Sequence, residues 1–170
     1  MSINKKPKVA IVMGSDSDFP ILKNCIKVLK HFDVEVDVNV ISAHRTPYRA
    51  EEFAKNAEAN GIDVIIGAAG KAAHLPGVLA AFTTLPVIGL PIKSSTLDGL
   101  DSLLSIVQMP KGIPVATVAI DGADNAAILA VQILSLAYED LKTKLKAFKI
   151  DMARQVEEKD AQIKEEVSKL

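Results

Sequence analysis

Val9-Ala10-Ile11-Val12-Met13, closed by Gly14-Ser15-Asp16-Ser17-Asp18, decides the fold class. The five leading residues are apolar without a break, and Gly14 stops the run. A strand with one wet face alternates polar and apolar side chains. A strand buried on both faces does not, and that is the parallel-sheet pattern. Beyond the Ser/Asp turn, Ile21, Leu22, Cys25, Ile26, Val28 and Leu29 recur at helical spacing. Strand, tight turn and amphipathic helix together make the first unit of a β/α alternation.

The pattern repeats outward from that unit. Val34 to Val40 alternates with period two, which places a second strand at a sheet edge with one wetter face. Pro47 to Asn60 reads as a helix with Thr46 as its cap and Gly61 closing it. Asp63-Val64-Ile65-Ile66-Gly67 is a third strand, followed by a small-residue turn from Ala68 to Gly77 and a short helix from Val78 to Phe82. Pro86 to Leu90 is a fourth strand, ahead of the polar loop Lys93 to Gly99 and a helix over Leu100 to Val107. Pro110-Lys111-Gly112 turns the chain into a fifth strand, Val115 to Ala119. Strands alternating with helices imply βαβ units. The expectation is one α/β domain over residues 1–170, a three-layer, flavodoxin-like fold around a five-stranded parallel sheet.

The last third differs. From Ala123 to Leu170 there is neither Gly nor Pro, so nothing forces a helix to stop. Leu141, Leu145, Phe148, Met152, Val156, Ile163, Val167 and Leu170 keep a three/four spacing between Lys and Glu residues. An extended C-terminal helix, residues 139–170, would overrun a domain of this size. Its apolar stripe calls for a partner surface, and a neighbouring subunit is the expected one. The alternative is a tail that bends near Ile150 or Asp151 and folds back on its own subunit.

Composition excludes several classes of function. Hydrophobic residues make up 49% and charged ones 24%, with a formal net charge of -1. There is no basic stretch with interleaved aromatics and no Trp, so nucleic acid is not an expected partner. No apolar run reaches the roughly 20 residues that span a bilayer. The start, Met1 to Lys8, is short and polar, without the apolar region of a signal peptide. The lone Cys25 has no internal disulfide partner and reads as a core residue. A cytoplasmic location is expected.

The chemistry gathers in loops that follow strands, because an open α/β sheet presents its ligand groups there. Gly14-Ser15-Asp16-Ser17-Asp18 offers hydroxyl donors next to the amides of a helix start, which suits phosphate. Asp18 would repel phosphate, so it serves either another part of the ligand or the helix as its N-cap. Ser42-Ala43-His44-Arg45-Thr46-Pro47 places an imidazole, which titrates near neutral pH, beside a guanidinium able to grip an anion with two prongs. A surface corner with incidental polar residues is the plainer reading. His74 closes the loop Gly67 to Ala73, whose small side chains let backbone approach a flat ligand. Two histidines at one end of a sheet favour function, whereas His31, at a helix C-terminus, is structural. Walker and G-x-G-x-x-G patterns are absent, so neither ATP nor a nicotinamide cofactor is expected. Metal-ligand spacings are absent too, and no metal is expected.

Together these segments resemble the N5-carboxyaminoimidazole ribonucleotide mutase family of purine biosynthesis, the class I PurE family. The resemblance rests on Gly14-Ser15-Asp16-Ser17-Asp18, on Ser42 to Pro47, on Ala72-Ala73-His74-Leu75-Pro76-Gly77, and on Ser102 to Pro110. It implies a cofactor-free isomerase that moves a carboxyl group from the exocyclic nitrogen of the ribotide to its ring carbon. Ser15, Asp18 and Arg45 would then bind the ribotide, supported by Gly14, Ser17, Ser42 and Ala43. His44 would shuttle the proton, with His74, Gly70, Ala72, Ala73 and Leu75 around the reacting groups. A homo-octamer is implied as well. The related carboxylase branch, which uses free carbon dioxide, tends to carry lysine at the position of Arg45 and to lack the Ala-Ala-His-Leu-Pro run. A phospho-ligand binding module without catalysis is the rival from another class. One departure stands out: the family commonly has Gly-Ala-Gly-Gly where this chain has Ala68-Ala69-Gly70-Lys71. Lys71 is expected to point outward or toward a subunit interface.

Overall fold

The computed structural model describes residues 5–170, so part of the polar start, residues 1–4, lies outside the described residues. Five strands form one all-parallel sheet in the order β2-β1-β3-β4-β5. They are β1 (Lys8–Met13), β2 (Glu35–Val40), β3 (Val64–Gly70), β4 (Val87–Ile92) and β5 (Ala116–Thr117). Among the described residues six α-helices accompany them: α1 (Phe19–His31), α2 (Pro47–Asn56), α3 (Leu75–Ala81), α4 (Leu100–Val107), α5 (Ala123–Leu134) and α6 (Glu139–Val167). The flavodoxin-like expectation is met. The alternating β2 is at an edge with half-wet positions, and the continuously apolar β1 is buried in the middle.

Alternation along β1 divides the core in two. Val9, Ile11 and Met13 face α1 and α5, joined by Leu22, Cys25, Leu29, Ala127 and Val131. Ala10 and Val12 face the opposite way, toward Ala54 of α2, Leu79 of α3 and Ile106 of α4. Each fully buried Leu or Ile contributes about 1.5–3 kcal/mol of transfer free energy. Truncating Leu22, which has no exposed surface, to Ala removes that and leaves a cavity, at a cost of about 2–5 kcal/mol.

Several boundaries differ from the sequence reading. α2 ends at Asn56 rather than Asn60, and β4 runs on to Ile92 rather than stopping at Leu90. Three further differences have a plain physical reason. The residues Ala68, Ala69 and Gly70 continue β3 rather than forming a turn. The flanking strands run on to Met13 and Ile92 and keep offering backbone partners. The turn shrinks to Lys71-Ala72-Ala73, and Leu75-Pro76-Gly77 becomes the first turn of α3, where proline fits because its missing N–H is not needed. Gly67 permits this approach: a Cβ there would stand 3.1 Å from Pro76 Cα. At the far edge, β5 pairs only through Ala116 and Thr117 before the chain curls toward Asp121.

The breaker-free tail does break, but not where a bend was expected. α5 ends at Leu134, the Ser135 hydroxyl turns back onto the Gln132 carbonyl at 2.7 Å, and Tyr138 is extended. The Tyr138 hydroxyl reaches Asp63 at 3.3 Å and Leu141 buries itself. Tertiary anchoring thus stops a helix that local propensity would have continued. α6 then runs straight through Ile150 and Asp151 for 29 residues, roughly 43 Å at the α-helical rise. Its first third packs on the body of the chain, with Phe148 edge-on to Phe32 at 5.6 Å. Ile150, Val156, Ile163 and Val167 lie exposed.

Candidate active site

The C-terminal ends of β1, β2, β3 and β4 open into a cavity of about 700 Å³. It sits where the chain changes faces: α1, following β1, covers one side of the sheet, and α3, following β3, covers the other. This is the crevice in which open α/β sheets bind ligands.

The loop after β1 forms one wall. Ser15 caps a short 3-10 turn by accepting from the Ser17 amide at 3.3 Å, and the Ser17 hydroxyl donates to the Ser15 oxygen at 2.9 Å. Asp18 makes no side-chain cap at the start of α1, so the N-cap reading fails. Its residue surface is only 8% exposed. Burial pushes its carboxyl above the ordinary carboxylate range, partly offset by hydrogen bonds from Ser15 and Ser17. A nearly buried carboxylate without a cation partner, aimed at a cavity, is suited to accept hydroxyl hydrogens from a ligand.

The corner after β2 forms the second wall. Thr46 is not the helix cap that the sequence suggests. Its hydroxyl donates to the Ser42 carbonyl and accepts from the Ser42 amide, both at 3.0 Å, which ties the corner into a closed loop. Pro47 opens α2 as expected. The Arg45 guanidinium donates to the Gly14 carbonyl at 3.2 Å and to Ser42 Oγ at 3.4 Å, bridging the first two loops. It makes no ion pair among the described residues, so its charge remains available to an anion.

His44 and His74 meet across the cavity. Nε2 of His44 lies 2.9 Å from Nδ1 of His74, with the rings edge-on at 80°. One nitrogen must donate and the other accept, so the tautomers of the two rings are linked. His74 immediately precedes α3 without capping it, and its ring is therefore positioned by the cavity contact.

The sequence-derived site residues Gly14, Ser15, Ser17, Asp18, Ser42, Ala43, His44, Arg45, Gly70, Ala72, His74 and Leu75 all line this cavity. Ala73 does not: it is fully buried in the second core cluster, because its side chain turns inward under α3. Lys71, expected to stand apart, is a lining residue and takes a left-handed φ of 56°. Sequence reasoning missed Ala69, Ile92, Lys93, Ser94 and Ser95. A signal was available for the last three, since they follow a strand as the other loops do. Cys25 is no nucleophile: burial pushes its thiol up to about 12. Among the described residues no cluster of three His, Cys, Asp or Glu gathers to ligate a metal.

The two-histidine cavity with an Arg/Ser anion cradle occurs on a chain whose residues 8–155 match the family model described as AIR carboxylase. The chain belongs to the AIR carboxylase family. Its curated relatives include the N5-carboxyaminoimidazole ribonucleotide mutase of Pyrococcus horikoshii, 59% identical over 95% of this chain and 92% of that protein. The mutase of Thermotoga maritima is 57% identical, over 90% of both chains. The phosphoribosylaminoimidazole carboxylase of Candida glabrata is 52% identical over 94% of this chain, which corresponds to 28% of that protein. Among solved structures, Treponema denticola PurE superposes with a TM-score of 0.85 at 31% identity, covering 92% of this chain and 98% of that one. Membership in the AIR carboxylase family thus rests on fold and on sequence alike.

Proposed function

We propose that this chain is an N5-carboxyaminoimidazole ribonucleotide mutase of purine biosynthesis, and that the observation carrying its mechanism is the hydrogen-bonded pair His44–His74 beside the Arg45 cradle. In this reading Arg45, Ser15, Ser17 and Ser42 hold the phosphate, and Asp18 accepts from the ribose hydroxyls. Gly70, Ala72 and Leu75 make a small-residue floor for the flat imidazole.

The carboxyl group leaves as the N–C bond breaks, its electron pair staying on the exocyclic nitrogen, and His44 supplies the proton that nitrogen takes up. The ring carbon then attacks the retained carbon dioxide, and His44 recovers a proton from that carbon. One imidazole serves as acid and then as base, so the group ends in its starting form. His74 orients His44 through the 2.9 Å contact and couples its tautomer to the shuttle. No metal or organic cofactor enters these steps.

Incubation with the carboxyamino ribotide, watching for the carbon-carboxylated isomer, tests this directly. Turnover independent of added bicarbonate supports the mutase. A bicarbonate requirement with the uncarboxylated ribotide would assign the chain to the carboxylase branch. Binding without turnover would make it a non-catalytic phospho-ligand module.

We further infer one catalytic domain that works in the cytoplasm as a homo-octamer, with residues 139–170 packing between subunits. No helix among the described residues is long and apolar enough to cross a membrane. The exposed Ile150, Val156, Ile163 and Val167 support assembly, because an apolar stripe gains by being covered. Deleting the residues after Ile150 is expected to lower the oligomeric state by light scattering, and an unchanged species would overturn the role given to the tail.

A further inference from the structure

Neither histidine of the pair sits on a helix or a strand, and His44 is the less tethered of the two. Among the described residues the backbone of His44 makes no hydrogen bond, and its ring makes one, to His74. The His74 backbone is tied on both sides: its amide donates to the Ala72 carbonyl at 2.8 Å, and its carbonyl accepts from the Val78 amide at 3.0 Å. What fixes His44 is therefore the five-residue loop that carries it, Ser42 to Thr46. Ala43 seats the near end of that loop against the second core cluster. Thr46 closes the far end.

Closure takes three hydrogen bonds between Thr46 and Ser42. The Thr46 amide donates to the Ser42 carbonyl at 2.8 Å, and the hydroxyl makes the two bonds of 3.0 Å described above. The hydroxyl thus supplies two of the three. It does so instead of capping α2, the role that a threonine just before a first-turn proline ordinarily takes, and α2 starts without any side-chain cap. A residue that forgoes a local stabilising bond in order to shape a loop marks a place where position matters more than helix stability. Thr46 itself does not line the cavity.

We propose that the Thr46 hydroxyl is a positioning group for the reaction: it fixes the loop so that His44 stays within reach of His74 and aimed at the reacting nitrogen and carbon. This rests on the mutase reading above. Arg45 has ties of its own, to the Gly14 carbonyl and to Ser42 Oγ, so loss of the hydroxyl acts on the proton shuttle more than on the anion grip. Misplacing a reacting group by 1 Å costs on the order of 10²-fold in rate, and a loop that is loosened rather than displaced should cost about tenfold.

Turnover of the carboxyamino ribotide and equilibrium binding of its carbon-carboxylated isomer test this on the intact protein, Thr46→Val, Thr46→Ala and Thr46→Ser. Valine keeps the β-branched shape and deletes both hydroxyl bonds, whereas serine restores them. Thr46→Val and Thr46→Ala are expected to lose about tenfold in kcat, with ribotide affinity and melting temperature little changed. Thr46→Ser should recover most of the rate. Full turnover in Thr46→Val, an equal loss in Thr46→Ser, or a loss confined to binding would overturn the positioning role and leave the mutase reading intact. A collapsed melting temperature in both deletion variants would also overturn it, by making the hydroxyl a support of the fold. An unaltered protein that does not convert the ribotide would overturn both.

Discussion

The molecule has two cavities of nearly equal size at opposite ends of its sheet, about 700 Å³ above the strands' C-termini and about 630 Å³ near their N-termini. Lysines line both. In the lower one two of the lysines are held by carboxylates. Lys5 meets Asp63 at 3.1 Å, Tyr138 donates to the same carboxylate, and Lys144 binds Asp33, holding its carboxyl below the ordinary range. In the upper one Arg45 and Lys71 have no carboxylate partner, and Asp18 has no cation. Volume alone does not distinguish a site from a crevice. Charged groups left without an opposite charge do, because they remain available to a ligand that supplies one.

The sharpest way to break that comparison is at His44. His44→Asn should lower turnover about 10²–10⁴-fold, the usual weight of a general acid/base, while ribotide binding measured by calorimetry stays near normal. Comparable turnover in that variant would show that the upper cavity's histidines are not its chemistry. Arg45→Ala should act the other way, weakening ribotide binding by about 2–5 kcal/mol if the charge pair with phosphate is desolvated.

Asp18→Asn should weaken binding by about 1.5–3 kcal/mol, the value of a hydrogen bond to a charged group. It should also raise stability at neutral pH. The carboxyl is shifted upward in the folded state, so the stability it lends is present below its unfolded value of 3.8 and is lost as pH rises through the folded one. An amide cannot ionise and should abolish that loss, which urea titrations at acid and neutral pH would reveal. Smallest of all, Lys144→Ala in the lower cavity should leave the melting temperature nearly unchanged, as loss of an exposed pair does, and leave kinetics untouched. A kinetic effect there would erase the distinction between the two ends.

The upper cavity was largely legible in the residues because each of its loops follows a strand, and strand ends are visible as apolar runs stopped by small or polar residues. Ala73 was misread because its neighbours Ala72, His74 and Leu75 line the cavity, and sequence order does not say which way one methyl points. Lys93 to Ser95 went unassigned for lack of a histidine or arginine to draw attention, although their strand was recognised. The fold's layers were equally legible, whereas the stop after Leu134 was not. It depends on Tyr138 reaching Asp63, 75 residues away, and no local pattern encodes that contact.

The closed loop between Thr46 and Ser42 bears on rates as well as on shape. With Arg45 already bridged to the Gly14 carbonyl, the Arg45 end of the cavity is ordered within the fold, so the phosphate proposed to bind there would meet a site whose ordering entropy is lost during folding rather than during binding. Capture at that end should therefore be a single-step encounter with a rate constant of about 10⁵–10⁷ M⁻¹s⁻¹ and no slow closing phase in stopped flow.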